Sequence, residues 1–117
     1  MSDIPRNPFA GKTLAITYMG NNAALYNRAV SRFYENYEDL ADKIVNLLKE
    51  DSYDDARILV HSIKGLSRTL GMTYLGDASE VLQYAIESKS NITSALEEFT
   101  VCLEEVFAAR PLKYSNT

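Results

Sequence analysis

Residues 56–71 read ARILVHSIKGLSRTLG, and their hydrophobic pattern has the period of an α-helix. At about 100° per residue, one stripe of this segment is apolar or small. Its members are Ala56, Leu59, Val60, Ile63, Leu66, Ser67 and Leu70. Gly71 is placed as a C-terminal glycine, and Ser52 with Asp55 has capping-box-like spacing at the start. The pattern predicts an amphipathic helix with one buried and one exposed face.

Three other long segments carry a similar stripe. One begins at Asn21 or Asn22 and extends to about Glu50, a second is capped by Thr73, and the last is stopped by Pro111. A short apolar piece, residues 14–19, precedes them and ends at Gly20.

Short connections between amphipathic helices favour antiparallel neighbours. We therefore predict an all-α fold, an antiparallel up-down-up-down four-helix bundle with a short N-terminal capping helix. The expected division is an extended lead at 1–13, the bundle domain at 14–110 and a tail at 111–117.

Composition narrows the class of protein. The chain of 117 residues is the size of one domain, and its net charge of -4 argues against a general nucleic-acid or acidic-membrane binder. One cysteine, Cys102, cannot form an internal disulfide, and no apolar run approaches the roughly 20 residues of a membrane span. Met1 to Lys12 lacks a signal-peptide core. These features predict a cytoplasmic protein, and since each stripe has a partner within the bundle, a monomer.

His61 is the only histidine of the chain, and it projects away from the apolar stripe. Arg57, Lys64 and Arg68 fall within about 60° of it on the helical projection, which predicts an imidazole in a basic strip. Gly65 occupies the next turn, where we expect a larger side chain to crowd the ring, although glycine inside a helix costs about 1 kcal/mol.

A single histidine excludes several kinds of site. It cannot build a zinc cluster with one cysteine, and Ser62 lies about 100° around the helix, too far for a hydrolytic pair. Histidine can instead act as a nucleophile that takes a phosphoryl group on a ring nitrogen. Lys64 can then pair with phosphate oxygens, and Gln83 can bond the other ring nitrogen. The alternative at this point is an ordinary surface histidine.

The segment resembles the motif of the histidine-containing phosphotransfer (HPt) family, His-x-x-Lys-Gly with a further glycine ten positions after the histidine. His61, Lys64, Gly65 and Gly71 match the motif, and Gln83 stands where the family often has the polar residue that bonds the imidazole. The resemblance extends to the segment from Gly20 to Phe33 and to Leu75 with Ala78. Arg68 departs from it, since family members usually carry a small residue there.

The resemblance implies a phosphocarrier without autonomous kinase activity. His61 would accept a phosphoryl group from a receiver-domain phosphoaspartate or a sensor kinase and pass it to another receiver. The chain would need no cofactor, because the family places Mg²⁺ in the receiver. The partner surface is predicted at Arg57, Ile58, Gly65 and Arg68, where an exposed isoleucine suits burial against a partner or ordinary exposure. Two other interpretations are a non-phosphorylated adaptor that binds receivers and a module excised from a hybrid sensor kinase.

Overall fold

Six α-helices make up the fold, and the structure, a computed structural model, describes residues 6–111. They are α1 (Lys12–Tyr18), α2 (Ala23–Asn36), α3 (Leu40–Lys49), α4 (Tyr53–Thr69), α5 (Thr73–Ser88) and α6 (Ile92–Ala108). No strand occurs within the described range, which confirms the all-α prediction. Most of the predicted tail and residues 1–5 of the predicted lead lie outside that range.

The turn between α4 and α5 determines which side chains meet at the surface. Gly71 adopts a φ of +76° after α4, as the sequence predicts. The amides of Gly71 and Met72 donate to the carbonyls of Arg68 and Ser67 at 3.2 and 2.8 Å, the Schellman pattern of a helix C-terminus. The chain thus reverses within residues 70–72, and α5 returns antiparallel along α4.

The same turn contacts α1 and α2. The Gly11 amide donates to the Gly71 carbonyl at 2.9 Å, and the Tyr26 hydroxyl donates to the Leu70 carbonyl at 2.7 Å. A Cβ on Gly71 would lie 2.5 Å from the carbonyl carbon of Gly11, so this close backbone approach requires glycine. The short N-terminal helix expected from the sequence is present as α1, which begins at Lys12 rather than at Leu14.

The prediction of one continuous helix from Asn21 or Asn22 to Glu50 is wrong. Tyr37, at φ -124°, separates α2 from α3, and the Leu40 amide donates to its carbonyl at 3.2 Å. No glycine or proline marks this break. A residue distant in sequence contacts the break, since Arg110 beyond α6 donates to the Glu38 carboxylate at 2.8 Å. Contacts that distant in sequence leave no periodic signal in the segment itself.

Two predicted helix caps also differ from the structure. Ser52 precedes α4, but its side chain makes no capping hydrogen bond, so no capping box forms with Asp55. Thr73 is the first residue of α5, and Met72 occupies the N-cap position. Asn22 does cap α2, since its side-chain oxygen accepts from the Leu25 amide at 2.9 Å.

One hydrophobic core joins all six helices. α4 packs most extensively against α5, which also packs against α6, while α3 lies against α4. The largest side chains with under 2% exposure include Tyr34, Phe33, Phe99, Leu40, Ile44, Ile63, Leu70, Met72, Leu75, Leu82 and Ile86. Because α4 and α5 each bury one face in this core, their outward faces form a continuous, firmly supported surface.

Candidate functional site

His61 lies on the outward face of α4. Val60 and Ile63, its near neighbours in sequence, have 0% exposure, whereas His61 itself is exposed. The apolar stripe predicted for α4 is accordingly buried or half-buried along its length. Helical periodicity therefore presents the imidazole to solvent on a rigid backbone.

Gln83 holds one edge of the imidazole. Its Oε1 lies 3.1 Å from His61 Nδ1, across the α4–α5 pair and 22 residues along the chain. The tight reversal at Gly71 brings these two positions together. Because an amide oxygen only accepts hydrogen bonds, this contact places a proton on Nδ1, and in the neutral imidazole Nε2 then keeps its lone pair. Nε2 has no hydrogen-bond partner among residues 6–111.

Glu87 extends this contact, although it is not among the site residues predicted from the sequence. The Gln83 Nε2 donates to Glu87 Oε2 at 3.1 Å, one helical turn along α5. The spacing of four residues between Gln83 and Glu87 was the available signal, because such pairs share a helix face. Glu87 forms no ion pair among the described residues, so its carboxylate is not shared with a cation.

Two of the predicted cations lie on the turns of α4 that flank His61. Arg57 is half-buried, and its Nε lies 3.9 Å from the exposed carboxylate of Asp54. Lys64 is half-buried and forms no ion pair within the part of the chain that the structure describes. Its charge contributes to lowering the pKa of Glu80, though less than Arg68 does. Lys64 thus lies one helical turn from His61 with an ammonium group that forms no ion pair among residues 6–111.

Arg68, the third predicted cation, is engaged with α5. Its guanidinium pairs with Glu80 and lies 3.5 Å from Asp77. The hydrogen bond to Glu80 raises the pKa of Arg68, and the same bond lowers the pKa of the Glu80 carboxyl. The Arg68 side chain crosses over Gly76, where an added Cβ would lie 2.8 Å from Arg68 Cγ. The positive charge of the basic strip is therefore offset at this end by two carboxylates.

Gly65 and Ile58 lie on the same outward face as His61. Apart from its chain neighbours and the backbone of its own helix, no atom of the described residues would lie within 4 Å of a Cβ added at Gly65. The expectation that any larger side chain crowds the imidazole is therefore wrong for a methyl group. No contact within residues 6–111 requires glycine here, and the absence of a side chain lowers the surface beside the ring. Ile58 is 53% exposed.

A known protein family matches most of the chain, including the residues around His61. The family model described as Hpt domain matches residues 28–110, a range that spans most of α2 and all of α3 to α6. The chain belongs to the Hpt domain family. The Hpt match includes His61, Lys64, Gln83 and Glu87 and begins after α1. No curated protein and no solved structure gives a significant match.

Membership of the Hpt family implies histidine phosphotransfer in phosphorelay signalling. Hpt domains are in general phosphocarriers rather than kinases, and they interact with receiver domains and kinases. The predicted family resemblance is thereby confirmed.

Residues 6–111 lack two further kinds of feature. None of the helices there is long and apolar enough to cross a bilayer. The same residues contain no group of three or more His, Cys, Asp or Glu side chains that could hold a metal ion.

Proposed function

We propose that this Hpt domain accepts a phosphoryl group on Nε2 of His61 from a receiver-domain phosphoaspartate, or from a sensor kinase, and donates it to a second receiver. The observation that carries the proposal is the hydrogen bond from His61 Nδ1 to Gln83 Oε1 on an exposed helix face. With Nδ1 as the donor, the ring proton occupies that nitrogen and Nε2 is available to a partner.

The transfer is a displacement at phosphorus. The Nε2 lone pair attacks in line, an N–P bond forms, and the bond between phosphorus and the aspartyl oxygen breaks with its electron pair on that oxygen. The Nδ1 proton remains on the ring, which becomes cationic. Donation to a second receiver runs the same step in reverse, with an aspartate oxygen as the nucleophile.

Lys64 and Gln83 assist in different ways. The Lys64 ammonium, one turn from His61, pairs with phosphoryl oxygens and offsets their negative charge. Gln83 keeps the imidazole in the reacting tautomer, and its Oε1 stabilises the cationic ring once Nε2 carries phosphorus. Neither residue supplies a proton, which agrees with a reaction that depends on positioning and charge.

The docking face surrounds His61 and includes Arg57, Ile58, Gly65 and Arg68. Ile58 offers apolar area, and Gly65 leaves room for a receiver loop to approach the imidazole. Arg68 contributes in its paired form, so it presents a cluster in which the carboxylates of Asp77 and Glu80 outweigh its one positive charge, rather than a bare cation. A receiver selected by this face would need to tolerate that cluster.

The remaining components belong to the partner. Mg²⁺ and the acidic pocket lie in the receiver, and this chain acts as a monomeric carrier without a cofactor of its own. We assign it to the cytoplasm, where receivers meet their carriers.

For the fold, we propose an antiparallel bundle of four arms with α1 capping one end. The first arm is α2 together with α3, and the other three are α4, α5 and α6.

A transfer assay tests the proposal. A panel of receiver domains is loaded with acetyl phosphate and Mg²⁺, mixed with the wild-type chain or with His61→Gln, and each chain is weighed intact. We expect a mass increase of one phosphate on the wild type, lost in acid, and no increase on His61→Gln. Receivers that bind both forms equally without any transfer would refute the proposal in favour of a binding adaptor.

A further inference from the structure

The side chain of Gln83 can present either of two ends to His61. Its Oε1 accepts hydrogen bonds and its Nε2 donates them, so the amide alone does not decide which His61 tautomer it supports. If Gln83 Nε2 faced the imidazole, His61 Nδ1 would have to accept the hydrogen bond, and the ring proton would move to His61 Nε2. Neutral histidine in water prefers the proton on the Nε2 ring nitrogen. The reacting tautomer therefore needs a further constraint.

Glu87 supplies a carboxylate, which accepts hydrogen bonds but does not donate them. Its carboxylate accepts a hydrogen bond from Gln83 Nε2 at 3.1 Å, which directs the amide oxygen toward His61. Hydrogen bonds to a charged acceptor are stronger than those between neutral groups. Since Gln83 and Glu87 are four residues apart on α5, the helix keeps them on one face.

We infer that Glu87 is a positioning residue: through Gln83 it fixes the proton of His61 on Nδ1 and keeps Nε2 nucleophilic. The inference deepens the proposed phosphotransfer and rests on it. The carboxylate lies two hydrogen bonds away from the ring, on the Nδ1 side, so it acts on the tautomer without occupying the position of the incoming phosphoryl group.

Tautomer populations can be measured without any partner. The chain is labelled with ¹⁵N in histidine, and the two ring nitrogens of its single histidine are observed by long-range ¹H–¹⁵N NMR at about pH 9, above the usual titration range of imidazole. The variants are Glu87→Met, which removes the acceptor, and Glu87→Gln, which keeps an oxygen that can accept from Gln83. Glu97→Met is the matched control, because Glu97 is exposed on α6 and loses the same charge.

We expect Nδ1 to be pyrrole-like in the wild type and in Glu97→Met. In Glu87→Met the ring should become a mixture shifted toward Nε2–H, and in Glu87→Gln it should stay closer to the wild type. The rate of phosphoryl acceptance should fall about fivefold in Glu87→Met, in proportion to the fraction of the ring that remains in the Nδ1–H tautomer. A Glu87→Met spectrum with the wild-type tautomer would overturn the inference.

The two proposals fail in different ways. If the wild type accepts no phosphoryl group from any receiver, the proposed function fails while the NMR result still decides the role of Glu87. If transfer proceeds but the Glu87→Met tautomer is unchanged, only the role of Glu87 is refuted.

Discussion

The two nitrogens of the His61 ring have different surroundings, and that difference determines what the residue can do. Nδ1 faces Gln83 Oε1 at 3.1 Å, whereas Nε2 has no partner among residues 6–111. Lys64 lies one turn away with its charge unpaired in the same part of the chain. A nucleophilic nitrogen and a nearby cation are the groups that phosphoryl transfer to histidine needs.

Lys64 provides a prediction at this scale. Replacing it with alanine should slow phosphoryl acceptance by about tenfold or more, because one hydrogen bond to a charged group is lost, while the helical content stays the same. Quenched-flow transfer from a loaded receiver measures the rate, and circular dichroism measures the helix. Lys43→Ala, an exposed lysine on α3, is the control. Equal rates for the two variants would exclude a role for Lys64.

The site residues could be predicted to different extents. Helical periodicity placed His61, Arg57, Lys64 and Arg68 on one face, and the structure brings His61 and Gln83 together as predicted. Glu87 was missed because its importance depends on the orientation of a neighbouring amide. The engagement of Arg68 with α5 was also missed, since it depends on a cross-helix ion pair and not on spacing along α4.

At the scale of the elements, the reversal between α4 and α5 is the feature on which the site depends. Gly71 combines a φ of +76° with a backbone contact to Gly11, and residues 61 and 83 meet only if the two helices return along each other. The helix and its terminal glycine were evident in the sequence. The break at Tyr37 was not, because no glycine or proline marks it and the contact made there, from Arg110 to Glu38, is distant in sequence.

Two glycines of α4 and its turn should respond to alanine in opposite ways. Gly71→Ala should lower the free energy of unfolding by about 2 kcal/mol or more, because a left-handed φ is strained for alanine and its Cβ would meet the Gly11 backbone. Gly65→Ala should raise it by up to about 1 kcal/mol, because the position is helical and open. Urea denaturation measures both.

The rate of phosphoryl transfer distinguishes the effect of Gly65→Ala on docking from its effect on stability. Gly65→Ala should transfer more slowly than the wild type despite its higher stability, since its methyl group enters the space left for the receiver. An unimpaired Gly65→Ala would contradict the docking face, and a Gly71→Ala protein as stable as the wild type would contradict the account of the turn.

At the scale of the whole molecule, the core includes two groups that ionise only in strong alkali. Burial raises the pKa of Tyr26 to about 12, with a smaller electrostatic effect of Tyr34. Burial, followed by a hydrogen bond to Glu98, raises the pKa of the Cys102 thiol to about 11. Both side chains are 2% exposed. The folded protein therefore keeps protons that the unfolded chain releases from about pH 9 upward.

Stability should consequently fall as the pH rises. The contribution of these two groups is fully present below about pH 9 and is lost on the way to about pH 12, at roughly 1.4 kcal/mol per unit of pKa shift. Urea midpoints between pH 8 and 12 measure the decline. At pH 8 the free energy of unfolding of Tyr26→Phe should be about 1 kcal/mol lower than that of the wild type, because the hydrogen bond to Leu70 is lost. Above about pH 10 it should decline less steeply with pH than the wild type does. An identical slope in Tyr26→Phe would refute this assignment.

The central claim is that Nε2 of His61 carries the phosphoryl group. The most direct test is ³¹P–¹⁵N NMR on the ¹⁵N-histidine-labelled chain after phosphorylation by a loaded receiver, with the single histidine making the assignment unambiguous. We predict that phosphorus couples to Nε2 while Nδ1 keeps its proton and its bond to Gln83. Phosphorus on Nδ1, or phosphate on any residue other than His61, would contradict the account.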